Sequence, residues 1–330
     1  MNDGFKSAPL DLQEIISTVK ESEYATLTRA GMPVANPLFH YFKPSAPTID
    51  IATGLAYPSK ADRVRDNPRL GLLLGSSVHA YDPIAMLEAG QPADRNLQDQ
   101  PIVAIAAMGA VRDRDLQANT DKYVDLFLDE HPAIGPSDWQ TMRTMTNYWV
   151  RIWVECTPVK IWWWPDGNIE DPPCVWENEI RTYPNSDTKP NGVKTPRANW
   201  PAEDWRERAE SVVARFPQPV LTSLTPDGFP IPLPTQRAER TRNGFRLALP
   251  ATAVERIDGQ ASLSFGALAT FTGEIIGDQF VVHRLIGNLP SVFQNAGDEH
   301  KAMATRQSLE LARRNQKMPL IRQGAYFAEV

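Results

Sequence analysis

The chain has 330 residues, a length that at roughly 100 to 200 residues per domain predicts two domains, each able to bury its own core. Lys and Arg total 34 against 40 for Asp and Glu, a formal charge of −6, and no stretch concentrates basic residues, so nucleic acid is excluded as an expected partner. Apolar residues at 42% and charged ones at 22% are those of a globular protein and exclude general disorder.

The N-terminus MNDGFKSAPL has no signal-peptide core, and no apolar run approaches the roughly 18 residues that span a bilayer; we therefore expect a cytoplasmic protein without a membrane partner. Leu12, Ile15, Ile16 and Val19 fall at helical spacing and predict a short amphipathic helix. Strands follow: YATLTRAGMP leads through a Gly turn into VANPLFHYF, then TIDIATG. A turn at Pro58 opens a short helix, SKADRVRDNP, and RLGLLLG returns as a strand. The insertion from Val78 to Gln100 reads either as a lid or as a surface excursion. PIVAIAAMGAVRDRD is the next strand, and after a helical stretch NYWVRIWVEC closes the first half. Arg151 in that strand reads either as a solvated residue or as a flavin or substrate contact. Trp149, Trp153, Trp162, Trp163 and Trp164 cluster here; in a β-ribbon Trp162 and Trp164 point one way and Trp163 the other, giving either packing or a flat substrate-binding wall.

Seven prolines lie between residues 165 and 201, so residues 166–200 are expected to form a linker without regular elements. Beyond it the order recurs. Trp205, Ala209, Val212, Val213 and Phe216 predict a helix; PVLTSLTPDGFP, IPLPTQRAE and GFRLALP predict strands, TAVERIDG a helix, and ASLSFG, ATFTGEIIGDQF and AYFAEV further strands. The repeated order indicates an internal duplication, a mainly β chain with two tandem antiparallel β-barrels in residues 1–165 and 201–330. Cys156 and Cys174 stand in no metal-ligand spacing, and no metal site is expected.

Ser59-Lys60 begins a helix, where unpaired backbone N–H groups and the positive end of the helix dipole favour an anion; Arg63, one turn on, reaches the same place. An ordinary cap with a solvated lysine has the same pattern. The surrounding order, GMPVANPLFHYF, TIDIATG, PSKADRVRDNPRLGLLLG and MGAVRDRD, resembles the pyridoxamine 5′-phosphate oxidase-like split-barrel flavoproteins, chiefly through the lysine, the short helix and Asn67-Pro68-Arg69 before an alternating strand. The resemblance covers residues 24–165 and, more faintly, 218–330.

It implies FMN held by Ser59, Lys60 and Arg63 at the phosphate, with Val34, Asn36, Pro37, Leu38, Ala52, Thr53 and Gly54 along the isoalloxazine ring. It also implies an FMN-dependent oxidoreductase; the absence of further cationic groups and the Trp-rich strand then point to a flat, apolar or conjugated small-molecule substrate beside Tyr41, Trp162 and Trp164, with NAD(P)H as an exchanging electron donor. A deazaflavin (F420) is the alternative occupant, and haem binding or degradation and flavin storage are alternative functions. Asn36 and Tyr41 replace the arginine and lysine of the vitamin-B6 oxidases, and Ala104 their glutamine, so pyridoxamine phosphate is not the expected substrate. Aligning the repeats puts Ala251, Thr252 and Glu255 where Ser59, Lys60 and Arg63 stand, so the second barrel is expected to be a degenerate partner in an intrachain pseudo-dimer with one working site. Homodimerisation of whole chains stays open. The five histidines, His40, His79, His131, His283 and His300, show no paired spacing.

Overall fold

Alternation of apolar residues along each strand closes the first half into a barrel. The computed structural model describes residues 4–19, 21–44, 46–75, 100–179, 182–192, 194–196, 204–216, 218–250, 254–266, 268–287 and 296–328. Strands β1 (Glu21–Leu27), β2 (Pro33–Tyr41), β3 (Ile49–Gly54), β4 (Arg69–Leu74), β5 (Ile102–Arg112) and β6 (Arg151–Trp164) lie in the order β3-β2-β1-β4-β5-β6. All neighbours are antiparallel, and β3 pairs with β6 to complete the ring. Tyr24, Ile51, Leu70, Leu72, Val103, Ile105, Ile152 and Val154 fill its interior. Helix α1 (Leu10–Thr18) adds Leu12 and Ile16 to that core, and α2 (Ser59–Asp66) adds Ala61 and Val64. Gly109 is required on β5 because a Cβ there would lie 2.7 Å from Val64 of α2.

Helices α3 (Leu116–Glu130), α4 (Pro136–Met142) and α5 (Thr146–Trp149) carry the chain from β5 to β6 outside the barrel. Asp115 caps α3, its carboxylate accepting from Ala118 N at 3.0 Å. Against the outer face of β2, β3 and β6 they bury an aromatic cluster of Tyr41, Tyr123, Trp139, Trp149 and Trp153.

The proline-rich segment is more structured than its composition suggests. β7 (Cys174–Glu177) extends the sheet by pairing with β6, which corrects the expectation of a linker without regular elements. Further on, the Asp187 carboxylate accepts from the N–H groups of Asp113 and Arg114, and Ser186 Oγ accepts from Val111 N, so this stretch is tied to the end of β5.

After α6 (Trp205–Arg215) comes a second seven-stranded sheet: β8 (Val220–Leu224), β9 (Pro230–Pro234), β10 (Arg237–Arg240), β11 (Gly244–Ala248), β12 (Ile257–Phe265), β13 (Ala269–Ile276) and β14 (Gln279–Gly287). Its order, β9-β8-β12-β13-β14-β11-β10, follows the cyclic order β2-β1-β4-β5-β6-β3 of the barrel. β9 and β10 together stand in the place of β2: β9 pairs with β8 as β2 does with β1, and β10 pairs with β11 as the end of β2 does with β3. The ladder breaks between them, so this sheet curls around its own core of Leu221, Phe245, Leu263, Phe265 and Phe271 without closing. Pro230, Pro232 and Pro234 lack the N–H that a further strand would need, which suits β9 to an edge.

Two expectations for this half are corrected. The closing strand is β14, entered from β13 by a tight hairpin at Gly277 (φ 59°), with no helical stretch between; Ala325–Ala328 of AYFAEV form a turn. Within TAVERIDG, Val254–Arg256 are not helical and β12 begins at Ile257, while residues 251–253, including Ala251 and Thr252, lie outside the described residues. The expected lid is likewise outside them, since residues 76–99 are not described.

Both sheets meet along one seam. Leu73, Ile102, Ala104, Ala106 and Trp164 of the barrel are buried against Val220, Ile231, Leu233 and Val254. Gly71 of β4 lies so close to β9 that a Cβ would run into the Pro230 carbonyl. The chain then returns: α7 (Ala296–Arg314) places Leu311 in the first core and Arg314 on Asp113 at 2.8 Å. Residues 316–328 run along α3, where Gln117 exchanges hydrogen bonds with the Leu320 backbone, Asp121 pairs with Arg322, and Asp125 accepts from the N–H groups of Gly324, Tyr326 and Phe327. No helix among the described residues is long and apolar enough to cross a membrane.

Candidate anion site at the start of α2

The turn between β3 and α2 is fixed by backbone bonds: Leu55 N donates to Val150 O at 3.0 Å, Tyr57 N to Gly54 O at 2.9 Å, and Asp62 N to Pro58 O at 2.8 Å. It presents Ser59, exposed, in the first turn of α2, with Lys60 beside it and Arg63 one turn further on. The strand register supplies a third cation, because Gly54 is the cross-strand partner of Arg151. A Cβ on Gly54 would come within 3.2 Å of Arg151 Nη1, so the glycine leaves room for the guanidinium.

Arg151 is oriented by aromatic rings. Its Nη2 donates to Tyr123 Oη at 3.0 Å, and its guanidinium lies 4.3 Å from the ring centre of Tyr123 and 4.5 Å from that of Tyr148. Burial works against its charge, but Tyr123, Tyr148 and Tyr41 hold its pKa above the usual arginine value.

Lys60 feels both neighbours. Withdrawal from water, then the positive charges of Arg63 and Arg151, lower its pKa to about 8, with Glu23 opposing. Glu23 of β1 is itself buried, which pushes its pKa up to about 8 against a hydrogen bond from Ser264 and the charge of Lys60. At pH 7 the cluster therefore holds three cations beside a neutral carboxyl.

Ser59, Lys60 and Arg63 lie in the first turns of α2, and Arg151, read from the sequence as a solvated strand residue or a flavin or substrate contact, is buried beside them. The signal that could have found it is its place at the start of the strand paired with TIDIATG. Along β2 and β3 the expected ring contacts divide by face. Pro37, the cross-strand partner of Glu23, together with Ala52 and Gly54, lies on the outer face, whereas Val34, Asn36, Leu38 and Thr53 share the inward parity of Leu38 and Ile51, which meet the barrel core. The amide nitrogen of Asn36 is buried there without a hydrogen-bond partner.

Tyr41 packs edge-on to Tyr123 and Trp153 in the cluster that carries Arg151. Trp162 and Trp164 are eleven residues and more from Arg151 along the 14-residue strand β6. Trp164 is buried in the seam with its Nε1 donating to Asp171 O at 2.8 Å, Trp162 packs beside it, and Trp163 faces the barrel core. Of the two readings of this tryptophan cluster, packing or a substrate wall, the seam contacts of Trp164 are those of packing, and Trp162 is half-buried. Of the histidines, His40 Nε2 lies 3.0 Å from Ile16 O, His131 Nδ1 lies 2.8 Å from Phe127 O, and His283 is exposed on β14. Glu255, at the repeat position of Arg63, is exposed.

No family model matches the sequence, and no curated protein matches it. Among solved structures, the chain is similar to general stress protein 26 of Bacillus anthracis (12% identity, 51% of this chain and 98% of the other, TM-score 0.31). A pyridoxamine 5′-phosphate oxidase-related, FMN-binding protein of Nostoc punctiforme aligns at 14% identity over 46% of this chain and 78% of its own, TM-score 0.27. HutZ, the haem storage protein of Vibrio cholerae, aligns at 11% over 45% and 87%, TM-score 0.25. At these values the likeness defines neither family nor function.

Proposed function

We propose that the chain binds FMN at the start of α2 and acts as a flavin-dependent oxidoreductase on a small conjugated molecule. The observation that carries the first part is the placement of Ser59, Lys60 and Arg63 in the first turns of α2 with Arg151 brought to the same turn by its pairing with Gly54; burial, and after it the charges of Arg63 and Arg151, lower the Lys60 pKa to about 8. Like charges held this close by a rigid turn and two aromatic rings are stabilised by an anion, and a phosphate monoester matches the donor set of a lysine, two guanidinium groups and a serine at a helix N-terminus.

The residues present fit FMN in a second respect. Beside the cluster, the outer face of β2 carries Ala35 and Pro37 and the end of β3 carries Gly54, small residues against which a flat ring would lie, whereas Ala52 is packed under the aromatic cluster. Pro37 lies on the seam side, so the second sheet stands as the opposite wall, where Thr222 Oγ1 and Ser262 Oγ are buried without hydrogen-bond partners. Bound FMN supplies hydride transfer at N5, which needs no acid–base dyad from the protein. The chain's own part is to bind the phosphate through Ser59, Lys60, Arg63 and Arg151 and to orient the ring against β2 and β3. NAD(P)H is the proposed electron donor, entering as an exchanging substrate.

Equilibrium titration with FMN tests this reading. Lys60→Ala and Arg151→Ala are each expected to weaken binding by about 10- to 100-fold, the equivalent of one lost charge-assisted bond. Unchanged affinity in both variants would remove the site, and a Soret band on reconstitution with haem, with no flavin uptake, would turn the reading to haem.

A further inference from the structure

The second sheet touches the anion site through one buried hydrogen bond. Glu23 is the cross-strand partner of Leu73, a seam residue, so its side chain leaves the barrel toward the second sheet. There Ser264 Oγ of β12 donates to Glu23 Oε1 at 3.0 Å, a contact between residues 241 positions apart. Both side chains are buried with no exposed surface, and Glu23 Oε2 has no hydrogen-bond partner. Helix α2 packs on β1, where the charge of Lys60 acts on Glu23, and Arg63 and Arg151 act in turn on Lys60. From β2 and β4 its cross-strand neighbours are Pro37 and Leu73, which do not titrate.

Building on the anion site proposed above, we propose that Glu23 couples it to the second sheet: sealed at the seam by Ser264, on a strand against which α2 packs, Glu23 takes up a proton as an anion binds. A phosphate brings negative charge to a place where a carboxylate would repel it, and the seam gives that carboxyl no route to water. The two groups respond together. With both pKa values near 8 in the free protein, each is about half protonated at pH 8, and the negative charge of the ligand raises both. Binding near pH 8 thus absorbs protons, and Glu23 contributes about half of them. Ser264 sets where this happens, since its hydrogen bond lowers the Glu23 pKa.

Calorimetric titration of the full chain with FMN, at pH 7, 8 and 9 in pairs of buffers with different ionisation enthalpies, measures the protons taken up per ligand. The wild type is expected to show a maximum near pH 8. Glu23→Gln should take up about half as many protons there, and Ser264→Ala, which keeps the carboxyl, should move the maximum to higher pH. Equal uptake with an unshifted maximum in all three proteins would overturn the coupling while leaving the anion site standing. If neither FMN nor inorganic phosphate binds the folded wild type, the site itself is wrong and the coupling falls with it. Should Glu23→Gln fail to fold, the shift in Ser264→Ala decides.

Discussion

At the scale of single residues, the cation cluster makes stability depend on pH in two opposite ways. Glu23 is protonated in the fold up to about pH 8 but ionises near 4.5 when unfolded, so its contribution is fully present below pH 4.5 and is lost as pH rises to 8. Lys60 runs the other way: its folded pKa of about 8 lies below the ordinary 10.5, so its contribution is lost as pH falls through 8 and returns toward 10.5. Together they predict a minimum in ligand-free stability near pH 8. Urea denaturation from pH 5 to 10 checks it, and Glu23→Gln should abolish the falling limb while keeping the rising one. Arg151 allows a finer test, because its rings grip a planar group: Arg151→Lys keeps the charge but loses the stacked geometry, and FMN affinity is expected to recover only in part relative to Arg151→Ala.

The residues legible in the sequence were those whose roles are local. Ser59, Lys60 and Arg63 share one helix turn, and their convergence follows from helical spacing alone. Arg151 and Glu23 were not legible, since one depends on a strand pairing across nearly a hundred residues and the other on a serine 241 positions away. No local pattern separates a glutamate on a solvated strand from one sealed in a seam.

At the scale of elements, periodicity found the first half well, where helices and strands follow each other with clear turns. It failed where tertiary pairing overrides local signals. β7 forms in a stretch broken by prolines because Val175 and its neighbours find the edge of β6, and Ala325–Ala328 stay a turn because β14 already holds the closing position and Asp125 captures the backbone of Tyr326 and Phe327. β4 offers the sharpest test at this scale. Gly71→Ala places a methyl group against the Pro230 carbonyl, backbone that cannot rotate away, and should cost about 1–3 kcal/mol of stability by overpacking the seam. Thermal denaturation reads it, and the same change at Gly259, whose added Cβ would meet nothing within 4 Å, separates lost space from the strain of its φ of 134°.

At the scale of the whole molecule, the two sheets share a cyclic strand order but not their boundaries. The second sheet ends with β14 at Gly287, and α7 and the tail after it pack on the first barrel. Proteolytic cleavage between residues 197 and 203 should therefore leave two fragments that stay together under native conditions, held by the seam and by α7. Size-exclusion chromatography of the nicked protein measures this, and separation of the fragments without denaturant would contradict it.

The return of α7 also orders events during synthesis. Asp113, at the end of β5, is buried between Arg65 and Arg314, and its second guanidinium partner lies 201 residues later in the chain. At about 5 to 20 residues per second, the ribosome delivers Arg314 roughly 10 to 40 s after Asp113. Through that interval the strands of the first barrel are available to pair while the surface awaiting α7 stays uncovered, with Asp121 and Asp125 on α3 still facing water. The first half to be translated is thus among the last to be finished, and its nascent form carries an open acidic flank that the last-made helix and its tail close.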